Sequence, residues 1–235
     1  MTSGSLQIRK GLLGQLPLPQ SPTGRCLLLT DQNVEALLPG SWGSLPRHVI
    51  PAGEQSKSWS ELEGCLLAMD RAGLDRDGLL IAVGGGVVTD LGGLAASLHR
   101  RGIAWHAIPT SLIGQVDAAI GGKTAINLGG GKNTVGTVHL PAQVLIDPVT
   151  LATLPRRHLL SGMAEVLKTA LIAGQSQTEQ ALRLGPDDFA QASDAAVAQI
   201  QASVATKQAL VKVDLYDQGP RRKLNLGHTF GHALE

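Results

Sequence analysis

The feature that most constrains the fold is the run LLIAVGGGVVTDLGG, from Leu79 to Gly93. A fully apolar strand-length segment leads directly into three glycines and then into the start of a helix. Glycine permits a sharp turn and lets a phosphate approach the backbone, and a helix N-terminus offers N–H donors and a positive dipole end. The run therefore predicts a strand–turn–helix unit with a phosphate-binding turn, although a tight turn without a ligand would leave the same pattern.

Asp90 falls in the first turn of this predicted helix and is followed by Gly92 and Gly93. The two glycines let the helix pack closely against its neighbours. One interpretation is that the Asp90 carboxylate points toward the ligand. The other is an ordinary acidic residue that complements the helix dipole.

Apolar strand-like runs alternate with helical patterns through the first half of the chain. Because this alternation is typical of βαβ units, we predict an α/β fold whose first domain, residues 1–150, is a Rossmann-like parallel sheet with helices around it. The predicted strands are Arg25–Leu29, His48–Ile50, Leu79–Val83, Ile103–Ile108 and Gln143–Ile146. The predicted helices are Val34–Leu38, Ser58–Ala72, Thr89–His99 and Ser111–Ile120, with Ser56 or Ser58 capping the second.

After Asp147-Pro148 the sequence shows no further strand-like run. We predict an all-helical second domain over residues 151–235, with one helix from Pro155 to Gly174 and a long Ala-rich helix from Asp187 to about Val213. A last element from about Lys223 is still apolar-periodic at the end of the sequence and has no Gly or Pro stop. We expect this domain to be incomplete.

Composition excludes several classes of function. The formal net charge of +1 provides no broad basic face for nucleic acid, and an aromatic content of 3% provides few stacking surfaces for single strands. Cys26 and Cys65 are the only cysteines, which favours a reducing compartment over a disulfide framework. No apolar run approaches the ~18 residues of a membrane span, and no secretory signal is evident. We therefore expect a soluble, cytoplasmic protein without a membrane or nucleic-acid partner.

A polar, glycine-rich run, PTSLIGQVDAAIGGKTAINLGGGK, extends from Pro109 to Lys132, directly after the predicted strand Ile103–Ile108. A surface loop is the simple interpretation. However, its apolar residues interleave with Gln115, Asp117 and Lys123 at helical spacing, which predicts polar groups that lie beside a core and face a cleft. Lys123, Lys132 and Asn133 add donors suited to a carboxylate or phosphate.

Near the end of the chain, His228 and His232 are separated by four residues and would share one face of a helix. Such a pair commonly binds zinc, or divides into a ligand and a base, but ordinary polar residues give the same spacing. Glu165 lies in an apolar helical segment and is a candidate third group, with an i,i+3 ion pair to Lys168 as the alternative. A catalytic zinc site normally takes three protein ligands, and the sequence offers only two good candidates.

Four segments, GGGVVTDLGG, PTSLIGQVDAAIGGKTAINLGGGKNTVG, SGMAEVLK and LNLGHTFGHALE, together resemble the 3-dehydroquinate synthases in order and spacing. The resemblance covers roughly residues 25 to 235. It implies a carbon–oxygen lyase of the shikimate pathway that uses NAD and a zinc or cobalt ion. The substrate would be 3-deoxy-arabino-heptulosonate 7-phosphate, which is converted to 3-dehydroquinate and phosphate through transient oxidation, phosphate elimination, re-reduction and an intramolecular aldol step.

The resemblance also implies roles for individual residues. Glu165 and His228 would bind the metal ion. The NAD-contacting positions would be Asp31, Gly53, Glu54, Lys57, Gly85, Gly86, Val87, Val88, Thr89, Asp90, Thr110, Ser111, Lys123, Lys132, Thr150, Leu151, Ala152 and Thr153. The catalytic and substrate-binding positions would be Arg101, Asp117, Lys123, Asn133, Lys168, Lys207, Arg221, Asn225 and His232.

The sequence departs from the family pattern at several places. The family continues beyond GHTFGHALE into a segment with a third metal-binding histidine, so we expect this chain alone to be inactive or very weak. Leu215 stands where an acidic residue is expected, and His158 where Glu is usual. Another sugar-phosphate cyclase such as a 2-deoxy-scyllo-inosose synthase, a glycerol-dehydrogenase-like enzyme and a non-catalytic NAD-binding remnant are the alternatives. The resemblance further suggests a homodimer.

Overall fold

The computed structural model describes residues 5–17 and 21–227. These residues divide into two compact units. The sheet unit comprises the chain up to Thr110 together with Gly122–Asp147. The helical unit comprises Ser111–Gly121 and the chain from Pro148 onward. The segment Ser111–Gly121 thus groups with the helices, although it precedes the last strands in sequence.

The sheet unit is built on six parallel strands in the spatial order β1-β8-β5-β4-β2-β3. The strands are β1 (Ser5–Ile8), β2 (Cys26–Asp31), β3 (Arg47–Ile50), β4 (Leu79–Gly84), β5 (Ala104–Pro109) and β8 (Gln143–Ile146). Strands β2 and β4 are buried almost throughout, as expected for a parallel sheet covered on both faces. The predicted parallel α/β fold is confirmed, and all five predicted strands are present within one or two residues.

Helices α1 (Leu12–Gln15), α2 (Gln32–Glu35), α3 (Trp59–Arg71) and α4 (Gly86–Leu98) belong to the sheet unit. The predicted cap of α3 is confirmed, since the Ser58 hydroxyl accepts the Glu61 N–H at 3.3 Å. Helix α4 begins three residues before the predicted Thr89. Helix α2 lies earlier than predicted because the Asp31 carboxylate caps it.

An antiparallel hairpin, β6 (Lys123–Leu128) and β7 (Gly131–Val138), forms a separate two-stranded sheet in the sheet unit. Gly129 and Gly130 have φ values of 62° and 82° and form its turn. The sequence analysis did not predict this hairpin. Lys123, interpreted there as part of a helically spaced set, lies on a strand.

The helical unit contains α5 (Arg156–Ala173), α6 (Gln175–Ala181), α7 (Pro186–Ala190) and α8 (Asp194–Val213). The predicted helix from Pro155 is confirmed. The single long helix predicted from Asp187 is wrong, because Ala192 adopts φ 48° and the Ser193 hydroxyl starts a new helix by accepting the Ala196 N–H at 3.2 Å. The predicted Ser111–Ile120 helix contains a π-helical turn at Gly114–Ala118.

Short 3₁₀ turns complete the described chain, at Gly40–Trp42, Glu54–Ser56, His99–Arg101, Pro148–Thr153 and Pro220–Asn225. The element predicted from Lys223 begins within the last of these turns, and its remainder lies outside the described residues. Among the helices of the described ranges, none is both long and apolar enough to cross a membrane.

Candidate functional site

The glycine turn predicted from the sequence lies between β4 and α4. Gly85 is the N-cap of α4, has an extended backbone and provides no side-chain cap. A Cβ on Gly84 would lie 2.5 Å from Val88 Cγ2, so the turn requires glycine at that position. At this end of α4 the Thr89 N–H donates to the Gly85 carbonyl at 3.1 Å. The N–H groups of Gly86 to Val88 therefore have no carbonyl acceptor within the helix, which fits a phosphate ligand.

The predicted NAD positions of the sheet unit gather at the carboxyl ends of neighbouring strands. Asp31 ends β2, Gly53 and Glu54 follow β3, the glycine turn follows β4, and Thr110 follows β5. Strands β3, β2, β4 and β5 are adjacent in that order. Open α/β sheets bind ligands outside the carboxyl ends of their strands, and the arrangement matches that rule.

A buried ion pair links two of these positions. The Lys57 ammonium donates to the Asp90 carboxylate at 2.5 Å, and the two side chains are 6% and 16% exposed. Lys57 also donates to the side-chain oxygen of Asn133. The prediction that Asp90 lies in the first turn of the helix is wrong, because α4 begins at Gly86 and has no acidic residue in its first turn. The Asp90 carboxylate instead compensates a buried cation.

Two predicted NAD-contacting carboxylates already hold backbone or side-chain groups in place. The Asp31 Oδ1 atom accepts the N–H groups of Asn33 at 2.9 Å and Val34 at 3.1 Å. The Glu54 Oε1 atom accepts from the Asn127 amide at 2.8 Å. Asn127 was not singled out from the sequence, where it looks like any polar residue before a glycine turn. The Asn127 side-chain oxygen accepts the backbone N–H of Asn133. Asn133 has φ 56°, a backbone conformation that is uncommon outside glycine.

Arg101 is not brought to this edge of the sheet. It follows the C-terminus of α4, whereas the glycine turn is at the N-terminus of the same helix. A helix of this length, Gly86–Leu98, spans about 20 Å at 1.5 Å per residue. Lys123 and Lys132 lie on the hairpin and are exposed.

In the helical unit, Lys207 on α8 binds the π-helical turn. Its ammonium donates to the Asp117 carboxylate and to the Asp117 carbonyl, each at 2.5 Å. Burial lowers the pKa of Lys207, and the positive charges of Arg221 and Lys168 lower it further, while Asp117 opposes the shift. π-Helical turns are frequent at functional sites. The turn at Gly114–Ala118 carries the Asp117 carboxylate that contacts the Lys207 ammonium.

Arg221 is a second buried cation of this unit, with a relative exposure of 2%. Its guanidinium donates to the carbonyls of Leu215 at 2.6 Å and Gly121 at 3.2 Å. Burial lowers the pKa of Arg221, against the raising effect of Asp217, Asp117 and Asp214. A Cβ on Gly121, which has φ 94°, would lie 2.6 Å from the guanidinium, so this position requires glycine for two reasons.

The loop that carries Arg221 is held by Asp214. The Asp214 carboxylate accepts the N–H groups of Gln218 at 3.0 Å, Gly219 at 2.7 Å and Arg221 at 3.1 Å. These backbone hydrogen bonds, that of Gln218 first, lower the pKa of Asp214. The sequence analysis gave Asp214 no role, although an Asp just before a Gly- and Pro-containing loop is a common turn-forming signal.

Lys168 and Glu165 form the i,i+3 ion pair that the sequence analysis considered as the alternative to a metal ligand. His228 and His232 lie outside the described residues. Within the described ranges, no group of three or more His, Cys, Asp or Glu side chains is placed to hold a metal ion. Glu165 is thus the one predicted ligand that lies within the described residues. Its carboxylate is a suitable oxygen donor for a divalent cation, but it is paired with the Lys168 ammonium, whose positive charge opposes a cation at the same place.

The other predicted NAD positions of the helical unit lie around the turn Pro148–Thr153. Thr150 accepts the Gln115 amide N–H at 3.1 Å, Leu151 is fully buried, and Ala152 and Thr153 are exposed. The Ser111 hydroxyl accepts the Gly114 N–H at 3.2 Å. Asn225, a predicted substrate position, is exposed at the end of its 3₁₀ turn.

Two family models match adjoining parts of the chain. The 3-dehydroquinate synthase N-terminal model matches residues 47–161, and the C-terminal model matches residues 162–235. Together they cover residues 47–235, which include every predicted site residue except Asp31.

Similar proteins agree with these models. A 3-dehydroquinate synthase of Paracoccus denitrificans is 40% identical over 99% of this chain and 66% of its own length. One from Lactiplantibacillus plantarum is 45% identical over 79% of this chain and 51% of its own length. The chain thus spans between half and two thirds of the length of these curated relatives.

Solved structures show the same fold. The chain superposes with a TM-score of 0.81 and 32% identity on a 2-epi-5-epi-valiolone synthase of Streptomyces hygroscopicus with NAD⁺ and Zn²⁺ bound, covering 100% of this chain and 68% of that one. A 2-deoxy-scyllo-inosose synthase gives a TM-score of 0.79 at 24% identity, covering 97% of this chain and 66% of that one. By its sequence motifs, its family models and its curated relatives, this chain belongs to the 3-dehydroquinate synthase family.

Proposed function

We propose that this chain acts as a 3-dehydroquinate synthase, a lyase that converts 3-deoxy-arabino-heptulosonate 7-phosphate to 3-dehydroquinate and phosphate in the shikimate pathway. The observation that carries the proposal is the set of buried cations in the helical unit, Lys168, Lys207 and Arg221. The names of the curated relatives support the reaction, and the bound groups of the 2-epi-5-epi-valiolone synthase support NAD and zinc.

The three cations favour a substrate that carries negative charge. The pKa of Lys207 is lowered even though its ammonium touches the Asp117 carboxylate, so burial and the neighbouring cations outweigh that carboxylate. A buried charge that is incompletely compensated is costly, and an anionic ligand beside it would reduce the cost. The proposed substrate supplies both a phosphate and a carboxylate.

The residues of the sheet unit fit NAD. The N–H groups of the glycine turn suit its pyrophosphate, and the Asp31 carboxylate suits the hydroxyls of a ribose. Bound NAD would accept and return the hydride, and the metal ion, held by Glu165 and His228, would act as a Lewis acid. The chain's own cations would donate hydrogen bonds to the oxygens on which negative charge develops as phosphate departs.

The nucleotide part of the proposal is tested by replacing Asp31. Asp31→Asn keeps the helix cap, because Asn and Asp are equally good N-caps, but removes the carboxylate charge. We expect the affinity for NAD⁺, measured by titration calorimetry, to fall roughly tenfold in Asp31→Asn. Its thermal unfolding should match the wild type, whereas Asp31→Ala should lose both affinity and stability. Equal NAD⁺ affinity in all three proteins would contradict the assignment of Asp31.

The catalytic part is tested by phosphate release from the keto-sugar acid phosphate, with NAD⁺ and zinc present. In a protein of the full length of the curated relatives, Lys123→Ala should lower the rate by roughly 10² to 10³, the usual effect of removing one group that stabilises developing charge. Unchanged catalysis in Lys123→Ala would show that its assignment is wrong.

A second sugar-phosphate cyclase activity is the nearest alternative, since the 2-epi-5-epi-valiolone synthase structure shares the fold at 32% identity. Lys123, Asn133, Arg221 and Asn225 match the positions that the resemblance assigns to the substrate's carboxylate, phosphate and hydroxyls, and so favour the dehydroquinate reaction. A sugar phosphate without a carboxylate distinguishes the two. Binding or turnover of that compound in preference to the keto-acid phosphate would favour the alternative.

We also propose that the protein works in the cytoplasm as a homodimer. Cys26 and Cys65 are both buried, and burial raises the pKa of the Cys65 thiol to about 12, so these thiols suit a reducing compartment. Sedimentation velocity over a range of concentrations tests the dimer.

A further inference from the structure

Asn127 lies near the end of β6, next to the hairpin turn, and its carboxamide bonds in two directions. The side-chain N–H donates to the Glu54 carboxylate at 2.8 Å. The side-chain oxygen accepts the backbone N–H of Asn133, also at 2.8 Å. The Asn127 backbone N–H donates to the Lys57 carbonyl at 2.8 Å. One residue therefore contacts three positions of the predicted site.

The bond to Asn133 fixes a backbone that would otherwise be unfavourable. Asn133 has φ 56°, in the left-handed region that non-glycine residues visit only occasionally. In this conformation its side-chain oxygen meets the Lys57 ammonium, which in turn pairs with Asp90. Holding the Asn133 N–H therefore also holds the acceptor side chain that Lys57 uses.

The bond to Glu54 fixes a carboxylate that lies on the surface. Glu54 is exposed and sits in a short 3₁₀ turn after Gly53, which has φ 113°. An exposed glutamate samples many rotamers, and a charge-assisted hydrogen bond from a fixed amide selects one of them.

We propose that Asn127 is a positioning residue that holds Glu54 for NAD and Asn133 for the substrate at the same time. This inference rests on the proposed function for the identity of the two ligands. The chemistry requires a carboxamide, because only that group can donate to a carboxylate with one atom and accept an N–H with the other. Aspartate would keep the acceptor for Asn133 and place a second negative charge against Glu54.

The NAD part of the inference is tested by titrating NAD⁺ into the wild type, Asn127→Ala and Asn127→Asp. We expect roughly tenfold weaker binding in Asn127→Ala, the usual effect of losing a hydrogen bond to a charged group, and still weaker binding in Asn127→Asp. Thr134→Ala is the matched control, because the Thr134 hydroxyl bonds only within the same turn, to the carbonyl of Leu128 at 3.3 Å and that of Gly131 at 3.5 Å. The control should stay within about twofold of the wild type.

A double-mutant cycle separates positioning from simple damage to the hairpin. In Glu54→Gln/Asn127→Asp the glutamine amide can donate to the aspartate, so the polarity of the bond is reversed but the bond is kept. Asn127→Asp should therefore weaken NAD⁺ binding much less in the Glu54→Gln background than in the wild type. An equal loss in both backgrounds, or an equal loss in Thr134→Ala, would overturn the inference.

The Asn133 part is tested without any ligand, by amide hydrogen exchange at Asn133. Exchange should be faster in Asn127→Ala, which lacks the acceptor, and remain slow in Asn127→Asp, which keeps it. Unchanged exchange in Asn127→Ala would overturn this part. Failure of the wild type to bind NAD⁺ would instead contradict the proposed function, while the exchange measurement would still decide whether Asn127 positions Asn133.

Discussion

The two units each contain a buried lysine, Lys57 in the sheet unit and Lys207 in the helical unit. The two ammonium groups differ in the partners that compensate their charge. Lys57 shares its ammonium between the Asp90 carboxylate and the neutral amide oxygen of Asn133. Among the residues that the structure describes, Lys207 pairs with one carboxylate, that of Asp117, and it lies near two further cations, Arg221 and Lys168.

The comparison indicates that a bound anion would stabilise the helical unit more than the sheet unit. In the sheet unit the cation is compensated by a carboxylate that is itself mostly buried. In the helical unit the partner carboxylate is 29% exposed, and the pKa of Lys207 is lowered in spite of it. In the sheet unit the buried lysine charge is therefore balanced by a carboxylate, and the groups suited to an anion are backbone N–H donors. In the helical unit the buried side chains themselves supply the positive charge.

The largest test of this comparison is removal of the single carboxylate beside Lys207. Asp117→Asn removes the carboxylate charge that Lys207 contacts and leaves its ammonium buried near other cations, so we expect the free energy of unfolding at neutral pH to fall by roughly 3 kcal/mol. Asp90→Asn should cost less, roughly 1 to 2 kcal/mol, because Lys57 keeps Asn133. Urea titrations of both variants measure the two values.

The charge explanation has its own control. In Asp117→Asn/Lys207→Met the unpaired cation is absent, so most of the lost stability should return. A double variant as unstable as Asp117→Asn alone would show that the loss comes from packing of the π-helical turn. Equal costs of Asp90→Asn and Asp117→Asn would remove the contrast between the units.

A second test compares close packing in the two units. A Cβ on Gly93 of α4 would lie 2.3 Å from Thr124 Cγ2 and 2.8 Å from Trp105 Cζ2, both side-chain atoms. A Cβ on Gly162 of α5 would lie 2.6 Å from Leu112 Cβ and 2.8 Å from the backbone nitrogen of Ile113.

Replacing a helical glycine by alanine gains about 1 kcal/mol of helix propensity, but overpacking at these two sites costs more. We expect net losses of roughly 1 kcal/mol for Gly93→Ala and roughly 2 kcal/mol for Gly162→Ala, because backbone yields less than side chains.

Gly14→Ala is the matched control for both variants. Gly14 lies in α1 with nothing within 4 Å of an added Cβ. It should be neutral or slightly stabilising when the free energies of unfolding of all three variants are measured by urea titration. A larger loss in Gly93→Ala than in Gly162→Ala would show that the helical unit packs less rigidly than its backbone contacts indicate.

The sequence predicted the sheet better than the hairpin. Strand β4 is apolar at every position before its glycine and is buried on both faces, so its pattern is unambiguous. The hairpin strands β6 and β7 mix small, polar and isolated apolar residues and are only partly buried, and they lie within a glycine-rich run, so their pattern resembles that of a polar loop. The break before α8 was equally hidden, since it depends on one left-handed alanine and one capping serine within an Ala-rich run.

For the site, the sequence identified residues but not their contacts. Lys57 and Asp90 are 33 residues apart, and Lys207 and Asp117 are 90 apart, so no local spacing links either pair. Glu165 and Lys168 are the exception, because an i,i+3 pair can be anticipated from helical geometry alone. Asn127 and Asp214 were missed because their roles depend on tertiary contacts and turn geometry.

A third, smaller effect is expected in the alkaline stability of the helical unit. Because the folded pKa of Lys207 is below its ordinary value, the unfolded chain binds more protons than the folded chain between the two pKa values. Stability should therefore rise with pH through this interval, up to about pH 10.5. Lys207→Met should abolish this rise, measured as the free energy of unfolding at a series of alkaline pH values. Lys212→Met, on the exposed side of the same helix, controls for the loss of one positive charge.

The smallest effect is expected at Asp214, because this carboxylate is exposed to solvent. Its folded pKa is lowered by the backbone N–H groups that it accepts, so its contribution to stability is present above the ordinary Asp pKa and is lost as pH falls through the lowered value. Asp214→Asn cannot change charge in this range, so its stability should fall less steeply on acidification than that of the wild type. Acid titrations followed by circular dichroism measure the two slopes. Parallel slopes would mean that the loop holding Arg221 depends on its own turn geometry and not on the Asp214 charge, in which case the buried guanidinium is fixed by the Gly121 and Leu215 carbonyls alone.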